Sequence, residues 1–142
     1  MSKILKNRKY ILVSLVVLTF FVLDRILKYL ALGGKMVLVK NYNLALGIPM
    51  PNLWLHCFIV SLIIIILIYF LTKAIKEKKL LLITGYLLLI TSCVSNLIDR
   101  IKFGYVIDYI NLYFFYNNLS DILVWLGIIL LVVSYLKKNN IN

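Results

Sequence analysis

The sequence predicts an all-α membrane protein with four transmembrane helices, both termini cytoplasmic and a small extracytoplasmic β-element, in one domain spanning 1–142. Three observations carry this reading. The 142-residue chain is 63% hydrophobic and only 15% charged, well outside the composition of soluble globular domains. Residues 53–71 and 80–98 each run 19 positions without a charge, and 119–136 runs 18 with only Asp121 near its start. A helix rises about 1.5 Å per residue, so about 20 residues cross a hydrocarbon core of about 30 Å. The basic residues, finally, are placed asymmetrically between the loops.

The first apolar stretch, 11–23, is uninterrupted for 13 residues before Asp24-Arg25. It reaches spanning length by continuing through Lys28, which predicts a helix over about 10–32. A cleaved signal peptide would also begin basic and apolar, with Ala31, Gly33 and Gly34 as small residues. Asp24, Arg25 and Lys28 intervene before any such cleavage site, so the segment is expected to stay. Residues 33–52 hold Gly33-Gly34, a β-prone run at 36–39, Asn43, and turn signals at Gly47, Pro49 and Pro51. Helices follow over about 53–71 and 80–98. The short turn 72–79 makes them antiparallel neighbours. The stretch 103–116 carries four tyrosines and three phenylalanines and suits a short extended piece or an interfacial layer, where aromatic rings rest at headgroup level. The fourth helix is expected over about 119–136, and 137–142 as a frayed tail.

A net charge of +11 could suggest nucleic acid, but its placement argues against it. Lys3, Lys6, Arg8 and Lys9 precede the first helix, Lys73, Lys76, Lys78 and Lys79 separate the second from the third, and Lys137 and Lys138 follow the fourth. The other two loops carry two basic residues each, Lys35 with Lys40 and Arg100 with Lys102. Positive charge retained on the cytoplasmic side puts the ends and the 72–79 turn inside, and 33–52 and 99–118 outside. The excess orients the chain and meets anionic lipid. No nucleic-acid partner is implied.

That topology gathers the acids. Four of the five, Asp24, Asp99, Asp108 and Asp121, collect near the outer membrane face. An ionisable group at membrane depth must be paired, hydrated or protonated, and is a functional-site candidate for that reason. Asp24 and Lys28 stand four apart with the acid first, the favourable order for an intrahelical pair. Asn96, Asp99 and Arg100 share one helical face, with Arg100 expected to pair with an acid. Asn118 and Asp121 have the spacing of a helix N-cap and its partner three residues on. Asp108, amid apolar and aromatic neighbours, has no cation within five residues, so desolvation raises its pKa or a distant group pairs with it. If that group is Asp121, the two share a proton, one serving as base toward water and the other as acid toward the carbonyl or leaving amine. Such chemistry needs no metal or cofactor, and none is expected. His56 is the only histidine, so neither a zinc site nor a Ser-His-Asp triad is expected. Cys57 and Cys93 read as buried free thiols.

The ordered set Asp24-Arg-Ile-Leu-Lys28, Tyr42-Asn43, Asn96-Leu-Ile-Asp99-Arg100, Val106-Ile-Asp108-Tyr-Ile and Asn118-Leu-Ser-Asp121, with Gly127 six residues later, resembles the lipoprotein signal peptidases (signal peptidase II). The resemblance runs through nearly the whole chain. It implies an intramembrane aspartic peptidase of the bacterial cell membrane that removes signal peptides from diacylglyceryl-modified prolipoproteins, cutting before the lipidated cysteine near the outer face. It implies Asp108 and Asp121 as the catalytic dyad, with Asp24, Lys28, Asn43, Asn96, Asp99, Arg100 and Asn118 as supporting or substrate-binding residues. Membrane lipids, and peptide inhibitors that mimic the substrate, are the further partners implied, acting on a monomer. The chain departs from the family pattern at Ser92 and Ser95, where glycines are usual, at Ala45 for a glycine and at Ser120 for an alanine. Two outer segments, between Lys28 and Asn43 and between Asp108 and Asp121, are shorter than is typical. Two other readings use the same residues. A proton-coupled four-helix transporter would rely on Asp24 and not need the outer pair. A non-catalytic relative would bind lipoprotein precursors without cutting them.

Overall fold

The computed structural model describes residues 2–43, 49 and 52–139, with side chains described over 8–43, 49 and 52–137. Four helices make up most of it: α1 (Ser2–Leu32), α2 (Leu53–Lys76), α3 (Leu80–Phe103) and α4 (Leu119–Asn139). Each is long and apolar enough to cross a membrane. Helices α2, α3 and α4 start at the residues expected from sequence. All four run further than expected, α1 at its start and the others at their ends. A charge ends an apolar span but not a helix, because Lys and Arg are good helix formers. The helix α3 therefore continues past Asp99 and Arg100, which lie inside it and not in the following loop. It stops where Gly104 turns left-handed (φ 81°) and its amide reaches the Arg100 carbonyl at 2.9 Å, a conformation that costs glycine little.

The helix α3 is central and packs against α1, α2 and α4. Buried residues make up 33% of its span but only 6% of that of α2, which faces outward. Helices α3 and α4 are in close contact at Gly85 and Gly127. A Cβ on Gly85 would lie 3.1 Å from the Gly127 carbonyl, and one on Gly127 would lie 3.1 Å from the Gly85 carbonyl and 2.9 Å from Leu89. Small residues let membrane helices approach this closely. An apolar cluster of Val17, Leu88 and Leu123 joins α1, α3 and α4.

Four short strands lie among the helices: β1 (Val39–Asn41), β2 (Val106–Asp108), β3 (Ile110–Asn111) and β4 (Tyr116–Asn117). The strands β1 and β2 pair antiparallel, Val39 opposite Asp108 and Asn41 opposite Val106. The strands β3 and β4 form a hairpin, Ile110 opposite Asn117 and Asn111 opposite Tyr116. The expected extended pieces are thus present, with a shift. Residues Met36 and Leu38 of the β-prone run pack on a second cluster, Ala31, Ile107 and Tyr109, and only its end enters a ladder. The turn signals Gly47 and Pro51, and Ala45, lie outside the described residues. The rings of Tyr113 and Phe114 at the hairpin tip are 93% and 89% exposed, consistent with an interfacial aromatic layer.

Candidate active site

Nine polar or charged side chains are buried among the described residues, and eight of them, all but Ser92, make up or adjoin one hydrogen-bonded region where α1, α3, α4 and β2 meet. Its first part is a charge cluster. Lys28, fully buried, places Nζ 3.2 Å from Asp24 Oδ2 and 2.7 Å from Asp99 Oδ2. Arg25 completes the balance with Nη1 2.6 Å from Asp99 Oδ1. Two cations therefore meet two carboxylates, which removes the cost of isolated charge at membrane depth. Asp24 is further held by the Tyr109 hydroxyl (2.8 Å), the Ser95 and Ser120 hydroxyls (2.6 and 2.7 Å) and the Ser120 amide (3.3 Å). The serines at 95 and 120 therefore supply two donors to one carboxylate. Ser92 instead donates to the Leu88 carbonyl of its own helix.

The second part contains Asp108 and Asp121. Asp121 receives Asn96 Nδ2 at 3.0 Å and the Asn118 amide at 3.3 Å. Asp108 receives Asn118 Nδ2 at 2.7 Å and Asn41 Nδ2 at 2.9 Å. Asn118 therefore links the two acids. It caps α4 as expected, its Oδ1 accepting from the Asp121 amide at 3.0 Å, so one residue serves as both N-cap and bridge. The orientation of each asparagine is fixed by what its oxygen accepts. Asn96 Oδ1 takes Lys28 Nζ at 2.8 Å, Asn118 Oδ1 takes the Asp121 amide, and Asn41 Oδ1 takes the Asn43 amide at 2.9 Å. All three NH₂ groups are thereby left facing the carboxylates.

The start of α4 shows why the site forms here. A helix leaves its first amides without intrahelical partners. In α4 the Leu119 amide reaches the Tyr109 hydroxyl (3.0 Å), the Ser120 amide reaches Asp24, and the Asp121 amide reaches Asn118. Asp24 of α1 also places a negative charge at this positive helix end. On the other side, β2 is buried along its length and its Ile107 amide donates to Asp99 Oδ2 at 3.4 Å. Burial is what raises the pKa of Asp108, to about 6. The Asn118 and Asn41 hydrogen bonds oppose the rise, the charge of Asp121 adds to it, and that of Lys28 opposes it.

Both acids line a cavity of about 960 Å³. Asn41, Asn43, Asn96, His56 and Arg100 line its polar part; Val60, Val124, Trp125 and Ile128 line an apolar part between α2 and α4.

Every expected site residue lies in this region, but two act differently from expectation. Arg100 pairs with no acid among the described residues. Its Nη2 donates to the Asn43 carbonyl at 3.1 Å, because neighbouring positions on a helix point about 100° apart and Asp99 faces away toward Arg25 and Lys28. Asn43 contributes main chain, and Asn41, which sequence reasoning missed, contributes the amide side chain. Arg25, Tyr109, Ser95 and Ser120 were also missed as site residues. Cys57 is buried as expected, but Cys93 is only half-buried and lines the cavity.

Four helices long and apolar enough to cross a membrane, with two carboxylates linked through Asn118 at the wall of one cavity, define a membrane protein with a candidate acid pair. Residues 15–137 match the signal peptidase (SPase) II family, and the chain belongs to it. The lipoprotein signal peptidase of Clostridium tetani (strain Massachusetts / E88) is 29% identical over 147 residues, covering 88% of this chain and 92% of that one. That of Buchnera aphidicola subsp. Schizaphis graminum is 35% identical over 112 residues, covering 73% and 69%. A bacterial membrane enzyme structure determined by the in meso method at 2.3 Å resolution matches with a TM-score of 0.77 and 25% identity, over 91% of this chain and 88% of that one.

Proposed function

We propose that this protein removes the signal peptide from diacylglyceryl-modified prolipoproteins, cutting before the lipidated cysteine, with Asp108 and Asp121 as the catalytic pair. The observation that carries the reading is the link through Asn118, which holds both carboxylates at the wall of one cavity. One carboxylate takes a proton from water as the water oxygen attacks the scissile carbonyl, and the other protonates the carbonyl oxygen. Collapse of the tetrahedral intermediate breaks the C–N bond: the carboxyl that took water's proton passes it to the leaving amine, and the other carboxylate takes back the proton of the gem-diol hydroxyl, which restores the pair. A pKa of about 6 lets Asp108 exchange protons near neutral pH. The titration belongs to the pair.

The remaining site residues hold this pair. Lys28 fixes Asn96, and through it Asp121; Asp24 and Asp99 neutralise Lys28; Arg100 and Asn43 shape the outer wall. Acyl chains stay in lipid beside the apolar part of the cavity, while the peptide lies extended across the polar part, where it can pair with strand backbone. The distribution of basic residues supports cytoplasmic termini and a site at the outer face of the bacterial cell membrane. The protein acts as a monomer, and peptides that mimic the substrate inhibit it by occupying the same cavity. A transporter reading is disfavoured by Asp24, whose two oxygens are saturated by five donors.

The test is incubation of the purified protein in detergent with a diacylglyceryl-modified prolipoprotein, beside Asp108→Asn and Asp121→Asn. Cleavage by the parent and by neither variant is expected. A folded parent that binds the substrate without cutting it overturns the proposal.

A further inference from the structure

A second cavity, of about 730 Å³, lies at the opposite end of the bundle from the acids, where α2 ends, α3 begins and α4 ends. Its wall changes character with depth. Lys73, Lys79 and Lys137, one near the end of each of these helices, stand exposed at its mouth. Phe70, Tyr86 and Leu131 line it further in. Tyr86 stands six residues past the start of α3 and Leu131 six before Lys137. At 1.5 Å per residue the cavity therefore reaches about 9 Å into the apolar layer. The Phe70 and Tyr86 rings stack with centroids 6.1 Å apart, closing the wall between α2 and α3.

The charge at the mouth is not balanced. Glu77 pairs with Lys79 at 2.6 Å, whereas Lys73 and Lys137 have no acid partner among the described residues. The Ser134 hydroxyl, also at this wall, bonds nothing among the described residues, while Thr84 nearby donates back to the Leu80 carbonyl at 2.9 Å. A small soluble anion would meet the lysines and leave the apolar recess empty. An apolar molecule would fill the recess and ignore the charge. A phospholipid with an anionic headgroup matches both, and basic pockets between membrane helices suit such headgroups. The volume lies in the range of specific small-molecule sites.

We infer that this cavity binds one anionic phospholipid from the leaflet on the side away from the acids. Lys73 and Lys137 hold its phosphate, and Phe70, Tyr86 and Leu131 receive the upper part of an acyl chain. The inference is independent of the peptidase reading, because it involves no chemical step and none of the residues around Asp108 and Asp121. A Cβ on Gly85 would fall 2.8 Å from Leu131 Cδ2, so Leu131 joins the cavity to the contact between α3 and α4. A bound lipid stabilises that contact.

The probe is phosphatidylglycerol, added to the full chain in neutral detergent after removal of native lipid. Native mass spectrometry should show one molecule retained, and the melting temperature should rise with lipid concentration and saturate. Phosphatidylcholine with the same chains should do neither. Lys73→Gln with Lys137→Gln should melt like the parent without lipid and bind phosphatidylglycerol about 20- to 30-fold more weakly, about fivefold for each lysine. Lys76→Gln with Lys78→Gln removes the same charge from the same end but outside the cavity, and should bind like the parent. Ser134→Phe keeps every charge, fills the recess and should lose the lipid. Equal binding by the parent and the cavity pair overturns the inference, and equal weakening in both pairs replaces it with diffuse attraction to the basic end. Retention of the lipid by Ser134→Phe, or equal competition by glycerol phosphate without acyl chains, also overturns it.

Discussion

Desolvation sets the behaviour of Asp108. Its pKa in the folded protein is raised from 3.8 to about 6, so the native state binds its proton more tightly than the unfolded chain does. Between those values stability must fall as pH rises, and above about pH 6 the full penalty is present. Asp108→Asn should abolish that decline and gain up to about 3 kcal/mol over the parent at neutral pH, at about 1.4 kcal/mol per pKa unit. Denaturant titrations in detergent at pH 4 and pH 7 measure it. Asn41→Ala removes a donor that favours the ionised form, so the limb of the kcat/KM profile that Asp108 controls should move to higher pH with the fold intact. A profile that stays in place would show that Asn41 does not act on Asp108. The acids themselves were legible in the sequence because a carboxylate in an apolar run is rare and costly. Their partners were not, since Ser120 meets Asp24 across 96 positions and Asn41 meets Asp108 across 67, and no local pattern marks such contacts. The acid partner expected for Arg100 is absent among the described residues for the same reason: its Nη2 reaches the Asn43 carbonyl 57 positions away, a contact no local pattern marks.

At the level of elements, apolar run length located the helices and Lys and Arg blurred their ends. The β-element was legible only as a tendency, because pairs two or three residues long carry almost no sequence signal and their register is fixed by neighbours. The approach of α3 and α4 makes a sharper claim. Asn96 on α3 donates to Asp121 on α4, so the distance between these helices sets the geometry of the pair. Gly127→Val would push its side chain into Leu89 and the Gly85 carbonyl. Overpacking of this kind costs about 1–3 kcal/mol. The expected result is a lower melting temperature together with a larger fall in kcat than in substrate affinity. Ser92→Ala is the control, because that hydroxyl bonds only its own helix, and it should leave both unchanged.

Taken whole, the molecule has charge at its centre and apolar side chains on its outside, the arrangement expected where the solvent is lipid. Lys28 touches both charge-cluster acids as well as Asn96. Lys28→Met should leave Asp24 without its cation and Asp99 with Arg25 alone, costing about 3–5 kcal/mol. Chemical unfolding in detergent micelles reads that loss, and cleavage should disappear with it. The hairpin between the two acids has a quieter effect. The chain from Asp108 to Asp121 is closed at its base by the Tyr109 amide on the Asn117 carbonyl (3.0 Å), by the β3–β4 pair and by Asn118 on Asp108. The positions of the acids are therefore insulated from whatever lies beyond that closure. Two glycines inserted after Phe114 should leave cleavage intact, whereas the same insertion between Asn117 and Asn118 should abolish it. Such a stretch can lengthen or shorten as lineages drift without disturbing the chemistry at its foot.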